Sequence, residues 1–276
     1  MGSVDWADTN VVRSSNSVFF GQVLQQVLHK MVRKSYDRRF YEEHDDNILA
    51  SARVVVPLML DLAPVKSVCD VGCGVASWLS VFRECGVHDI LGMDGDYVDR
   101  KLLYIPADRF IPLDLTKPVA LDRRYDLAVS LEVAEHLPDS RGVSFVHDLT
   151  ALASVVMFSA AVPGQGGTHH INEQWQSHWA RLFAAEGYVP IDVIRTIIWD
   201  NPTVEWWYKQ NIIIYCEEKA LAAYPKLASA ASPKGFVRSD VYPHLYQQHY
   251  QPRLLWLVQK VPSAVRRAVQ KRTGLE

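Results

Sequence analysis

A chain of 276 residues with 49% apolar side chains can build one large core with appendages, and a net charge of −2 gives the average surface no attraction for nucleic acid or an anionic membrane. The four cysteines, Cys69, Cys73, Cys85 and Cys216, lack Cys-x-x-Cys spacing, which argues against a zinc site and reads as reduced, buried thiols of a cytoplasmic protein. There is no signal-peptide pattern, no myristoylation signal and no apolar run near the roughly 20 residues that span a bilayer.

Residues 1 to about 17 are polar and aperiodic, so a mobile leader is expected. Phe20, Val23, Leu24, Val27, Leu28 and Met31 recur at helical spacing and predict an amphipathic helix. Tyr36, Phe40 and Tyr41 then alternate with charges, and Ile48 to Leu62 reads as a second helix, with Asp46 or Asn47 as N-cap and Pro64 as its stop. From Val68 to Leu79 a short apolar strand carrying Asp70 runs into Gly72 and Gly74, and a helix follows over Ala76 to Phe82. Such a turn exposes backbone N–H groups to a nucleotide-type ligand. The dinucleotide fingerprint needs a third glycine where this chain has Ser77, and a buried Asp70 repels pyrophosphate while favouring a cationic group.

Downstream, strands are expected over 88–93, 109–113, 125–131 and 153–160, with a turn or short helix at 97–103 and helices at 142–152 and Asn172 to Ala185. A strand from Tyr188 to Ile198 and another from Asn211 to Cys216 complete the pattern. Near-continuous apolar strands between helices predict an α/β fold, a mostly parallel sheet covered on both faces, with ligands at the carboxyl ends of its strands. Ala220 to Pro233 reads as a linker. The tail from Arg253 interleaves Leu and Val with Lys and Arg, either as a peripheral membrane contact or as a helix docked on the domain, and Pro262 interrupts it. The domain plan is a leader and helical cap over 1–45, a core over 46–218 and an extension over 219–276.

The strand ends carry further acids: Asp94 closes the second, Asp114 the third, and Glu132, Glu135 and His136 follow the fourth. With the Asp-x-Gly-x-Gly turn, they make residues 65 to 140 resemble the class I S-adenosylmethionine-dependent methyltransferases. The resemblance implies a Rossmann-like, seven-stranded, mostly parallel sheet ending in an antiparallel hairpin, S-adenosyl-L-methionine as cofactor and S-adenosyl-L-homocysteine as product. It places Asp70, Gly72, Cys73 and Gly74 on the cofactor, Asp94 and Gly95 on its ribose, Asp114 and Leu115 at its adenine, and Leu131 and Glu132 beside it. In such enzymes the stretch before the first strand often covers the pocket, so Tyr36 and Tyr41 form a lid or simply pin a helix.

The loop after the fifth strand is the most distinctive stretch: Gly164, Gln165, Gly166, Gly167, Thr168, His169 and His170. Its glycines allow close approach of the backbone to a ligand, and Gln165 is a candidate for substrate contact. Methyl transfer to a hydroxyl needs a base, for which His169, His170, His136 and Glu135 are the candidates. The other reading has one of the paired histidines capping the loop and the second exposed. A divalent metal on these histidines with Glu173 or Glu135 is not demanded by the spacing, and none is predicted. Trp175, Trp179, Leu182 and Phe183 mark a buried helix face. Trp206, Trp207 and Tyr208, on a helix with Pro202 at N1, cannot all face inward and suit a sugar ring. The histidine loop and the Asp-Asn-Pro and Trp-Trp-Tyr segments are similar to bacterial methyltransferases of glycan and secondary-metabolite pathways, which implies a sugar hydroxyl as acceptor. The alternatives are N- or C-methylation, or a silent methyltransferase-like subunit.

Overall fold

A computed structural model describes residues 38–231 and 237–250. The leader, the amphipathic helix predicted at Phe20, Tyr36 and the basic tail lie outside the described residues, as does the side chain of Tyr41.

The chain enters on helix α1 (Arg38–Leu62), then alternates β1 (Ser67–Val71), α2 (Ser77–Glu84), β2 (Asp89–Asp94), β3 (Phe110–Pro112), β4 (Leu127–Leu131), α3 (Gly142–Leu152), β5 (Val155–Ser159) and α4 (Gln176–Ala185). It finishes with β6 (Tyr188–Ile191), α5 (Ile194–Ile198), α6 (Trp206–Asn211), β7 (Ile213–Glu217), α7 (Pro225–Ala230) and α8 (Pro243–Tyr250). The seven strands form one sheet in the order β3-β2-β1-β4-β5-β7-β6. The first five are parallel, and β7 runs antiparallel to both β5 and β6. Strand order reverses between β1 and β4, which opens a crevice at their carboxyl ends.

Both faces are covered. Val155 and Met157 of β5 join the layer built by Val55, Met59, Leu79, Phe82 and Ile194. Val156 and Phe158 point the other way, to Phe145, Leu149, Trp179 and Phe183. That period-2 alternation within a fully buried strand is why these runs are apolar throughout. Asp126 clamps the bottom of the crevice strands, its carboxylate accepting from the backbone N–H of Lys66 (2.8 Å) and Ser67 (3.0 Å). No helix among the described residues is long and apolar enough to cross a membrane.

Several elements differ from the sequence expectation. Helix α1 starts before Asp46 and Asn47, so neither caps it; instead the Ser51 hydroxyl donates to the Asn47 carbonyl at 2.8 Å inside the helix. Helix α4 begins at Gln176, because Asn172 is drawn inward and its side-chain amide donates to the Ala134 carbonyl at 3.4 Å. The predicted long strand from Tyr188 breaks after Ile191, and Ile194, Arg195 and Ile198 are buried as a helix. Arg195 decides this: its guanidinium pairs with Asp192 and donates to the carbonyls of Gln210 and Arg238 at 2.9 Å each, a set that an extended strand would not gather. Asn211 closes α6 and is not in a strand.

The expected linker folds as a 3₁₀ helix over Glu218–Ala223 and then α7, which buries Leu227 on the α1 layer. Trp179 and Phe183 are buried, but Trp175 stays 42% exposed. Cys85 is exposed, whereas Cys69, Cys73 and Cys216 are buried as expected.

Candidate active site

At the carboxyl end of β1 the chain reverses through Gly72 (φ 87°) and Gly74 (φ 54°) into α2. The N–H groups of Gly72 and Cys73 both donate to the Met93 carbonyl of β2, at 2.7 and 3.1 Å, which folds the turn onto the neighbouring strand end; with the Gly74 N–H given to Asp94, the N–H groups expected to face a ligand are engaged within the protein. A Cβ on Gly72 would sit 2.3 Å from Cγ2 of Val133, on the loop after β4, so this backbone is in contact with the opposite lip of the crevice. Asp70 is 3% exposed and no donor among the described residues reaches its carboxylate. Burial, then the negative charge of Asp94, pushes its carboxyl well above the usual range. A cationic group in the crevice would restore it to the ionised form, which fits the ammonium of an amino-acid cofactor.

Asp94 ends β2 and is already fastened. One oxygen accepts from the Gly74 N–H at 2.7 Å, the other from the Gly95 N–H at 2.6 Å and the Tyr97 hydroxyl at 2.5 Å. Three bonds on a carboxylate with about four acceptor positions leave room for one ribose hydroxyl, and a second must displace Tyr97. Asp114 is exposed, its carboxylate occupied by the N–H and hydroxyl of Thr116 and by Lys117 at 3.2 Å, while Leu115 is half-buried and accepts from Arg141. Leu131 closes β4 as part of the core.

The loops after β4 and β5 are stitched together. The carbonyl of Glu135 accepts from the N–H groups of Ile171 (2.9 Å) and Asn172 (3.0 Å), which carries the histidine loop over the 3₁₀ turn Ala134–His136. The rings of His136 and His170 then meet edge to face, 4.8 Å between centroids. His170 Nδ1 lies 3.1 Å from Glu173 Oε1, and Glu173 accepts from the N–H groups of Gly164 and Gly166, both at 2.7 Å. A Cβ on Gly167 (φ 156°) would strike His170 Nε2 at 2.3 Å, so only glycine admits that ring. His169 takes φ 60°, and its side chain is exposed. Glu132 also sits at positive φ, 56°, and non-glycine residues held there cluster at functional sites.

Glu132 is held by Gln165 Nε2 at 2.8 Å and Asn211 Nδ2 at 3.0 Å. Gln165 in turn accepts from Val162, Gln210 and Asn211, so its carbonyl oxygen is engaged within the protein. Glu135 is fully buried, and neither of its carboxylate oxygens finds a hydrogen-bond partner. Burial and the charge of Glu132 push its carboxyl well up. Burial, followed by the charge of His170, lowers His136 to about 4, so its imidazole is neutral at physiological pH.

The aromatic segment divides. Tyr208 is buried and its hydroxyl accepts from the Trp78 indole at 3.4 Å. Trp206 and Trp207 are half-buried, and Trp206 packs against His244 of α8 with centroids 5.0 Å apart. Sequence reasoning passed over Asn211, Gln210 and Tyr97. The only signal was a run of amides directly before an apolar strand, and a tyrosine three residues after Asp94.

A family model described as a methyltransferase domain matches residues 41–211. No curated protein sequence matches the chain. Among solved structures, the magnesium protoporphyrin IX methyltransferase of Synechocystis PCC 6803 with bound SAM is 17% identical, with 68% of this chain and 96% of that one covered and a TM-score of 0.48. Streptomyces venezuelae DesVI is 14% identical, covering 64% of this chain and 94% of its own, with a TM-score of 0.46. The methyltransferase domain of bacterial CtHen1 is 19% identical over 60% of this chain and 97% of that one, with a TM-score of 0.44.

Proposed function

The chain belongs to the methyltransferase domain family and is a class I S-adenosylmethionine-dependent methyltransferase; from there we propose that it methylates a hydroxyl of a sugar, glycan or glycosylated small molecule. The observation that supports this is the acceptor side of the crevice, where Glu132, Glu135, His136 and His170 converge and His169 stands at the rim. A hydroxyl needs a proton acceptor, which a neutral amine does not, and ionisable and amide groups suit a polyhydroxylated molecule better than an apolar one.

S-adenosylmethionine supplies a methyl group on a positively charged sulfur, so transfer is an in-line displacement in which the breaking carbon–sulfur bond leaves its electron pair on sulfur. Asp70 with the backbone of Gly72, Cys73 and Gly74 holds the amino-acid end, and Asp94 with Gly95 holds the ribose. Because Thr116 and Lys117 occupy the Asp114 carboxylate, the adenine edge falls to backbone groups at Asp114 and Leu115. Leu131 and Glu132 wall the pocket.

On the acceptor side, His169 takes the hydroxyl proton. It is exposed and can pass that proton to solvent, whereas His136, lowered to about 4, is a poor base at neutral pH. Trp206 and Trp207, on the helix that delivers Asn211 to the network, offer flat surface to a sugar ring. Gln165 and Tyr208 position neighbours.

The test is incubation of the purified protein with methyl-labelled S-adenosylmethionine and a panel of free sugars, nucleotide sugars and glycosides. Transfer to a hydroxyl, with His169→Ala lowering kcat by about 10²-fold or more and leaving cofactor affinity intact, supports the reading. Transfer only to amines, or full turnover by His169→Ala, overturns it.

A further inference from the structure

Glu135 lacks a cationic partner. Its carboxylate is fully buried, neither oxygen makes a hydrogen bond of good geometry, the backbone N–H groups of Glu135 and Ala161 are its favourable polar neighbours, and Glu132 stands beside it. No lysine or arginine among the described residues pairs with either glutamate. A buried carboxylate in that position costs a great deal unless a cation meets it. One ligand atom each from Glu135, His136 and His170 lies within 4.8 Å of the other two. Ligand atoms around a metal at about 2.1 Å stand roughly 3.0–3.4 Å apart, so side-chain rotation alone could close the set.

From this juxtaposition we propose that Glu135, His136 and His170 bind one divalent transition-metal ion at the carboxyl end of β4. Three protein ligands leave positions open for water and for an acceptor oxygen, the arrangement of catalytic metal sites. Two imidazoles and one carboxylate select Mn²⁺, Fe²⁺, Co²⁺ or Zn²⁺ over Mg²⁺ and Ca²⁺, which favour all-oxygen shells.

The surroundings are built as such sites are built. His170 gives Nδ1 to Glu173, leaving Nε2 as the nitrogen for a ligand, and Glu173 is itself held by two backbone N–H groups. A carboxylate behind a histidine fixes its tautomer and orientation. The bonds from Ile171 and Asn172 to the Glu135 carbonyl hold two ligand-bearing loops in register before any ion arrives. The ion's role, to grip the acceptor oxygen and make its proton easier for His169 to take, rests on the hydroxyl-methylation reading; its binding does not.

The experiment uses the full chain, stripped with chelator and saturated with S-adenosylhomocysteine, titrated with Mn²⁺ under electron paramagnetic resonance and with Co²⁺ under visible absorption. The expected result is one tight equivalent, Co²⁺ bands of a nitrogen–oxygen shell, and a loss of affinity of at least about 100-fold in both Glu135→Gln and His170→Asn. Glu173→Gln should weaken the ion by about 10–100-fold, as removal of an orienting carboxylate does. Unchanged S-adenosylhomocysteine affinity in each variant shows that it has folded. No tight equivalent in the wild type, or metal affinity equal in the wild type and in variants that still bind S-adenosylhomocysteine, overturns the site. Metal binding without transfer to any hydroxyl would instead sink the acceptor reading and leave the site standing.

Discussion

Gly72→Ala tests whether the cofactor turn is held against the lip of the crevice. The new Cβ would lie 2.3 Å from Val133 Cγ2 and 2.8 Å from Cγ1, with Val133 Cβ at 3.1 Å. Ordinary contact starts at about 3.4 Å, so the turn or the Val133 loop must yield by about 1 Å, and overpacking of this kind costs about 1–3 kcal/mol. Holding alanine at φ 87° adds about 1–2 kcal/mol. Together these give about 2–5 kcal/mol, divided between folding stability and a displaced turn. At about 2–4 °C per kcal/mol for a chain of this class, a share of about 1 kcal/mol or more lowers Tm by about 2 °C or more, and a share of similar size lowers cofactor affinity by about fivefold or more. Differential scanning calorimetry and titration calorimetry with S-adenosylhomocysteine read the two parts. Val133→Ala in the Gly72→Ala background removes both γ carbons and should recover the steric part but not the backbone part, a coupling of at least about 1 kcal/mol in a double-mutant cycle. Additive effects within about 0.5 kcal/mol, or wild-type affinity in Gly72→Ala, would refute the contact and the role given to the turn.

Four other outcomes follow from the same geometry. Asp94→Ala strips three hydrogen bonds from the turn and should weaken S-adenosylhomocysteine by about 10–100-fold in titration calorimetry, whereas Tyr97→Phe removes one and should cost less. Asp70 has its carboxyl raised by burial and then by Asp94, so the folded state binds that proton more tightly than the unfolded chain; ligand-free stability should fall as pH rises from about 3.9 through the raised value. Asp70→Asn should therefore raise the ligand-free Tm near neutral pH while weakening the cofactor, and a lower Tm together with intact binding would contradict the assignment. Asp148→Ala leaves the buried Arg141 guanidinium without its carboxylate and the Val119 N–H without its acceptor, and should cost about 3–5 kcal/mol by urea unfolding; because Arg141 also holds the Leu115 carbonyl at the proposed adenine edge, some loss of cofactor affinity should accompany it. Gly167→Ala drives a Cβ into His170 and should depress turnover with cofactor affinity intact; equal turnover would place His170 outside the acceptor side.

The sequence by itself determined what local chemistry dictates. Apolar runs of strand length between helical patterns specify a doubly covered parallel sheet, and Gly72 and Gly74 after an acid specify a tight strand-to-helix turn, because at Gly72 a side chain would meet both the positive φ and Val133. Asp94 was legible as the acid at the end of the next strand, about twenty residues on. The tertiary structure decided whatever depends on long-range partners. Tyr188 to Ile198 has strand composition throughout, but a buried Arg195 finds Asp192, Gln210 and Arg238 only by winding into a helix. Asn172 resembles a helix cap until the Ala134 carbonyl draws it inward. His170 stands more than thirty positions after the adjacent Glu135 and His136, and no spacing rule joins it to them. They meet because β4 and β5 are adjacent parallel strands whose carboxyl ends, and the backbone bonds between their loops, deliver them to one place.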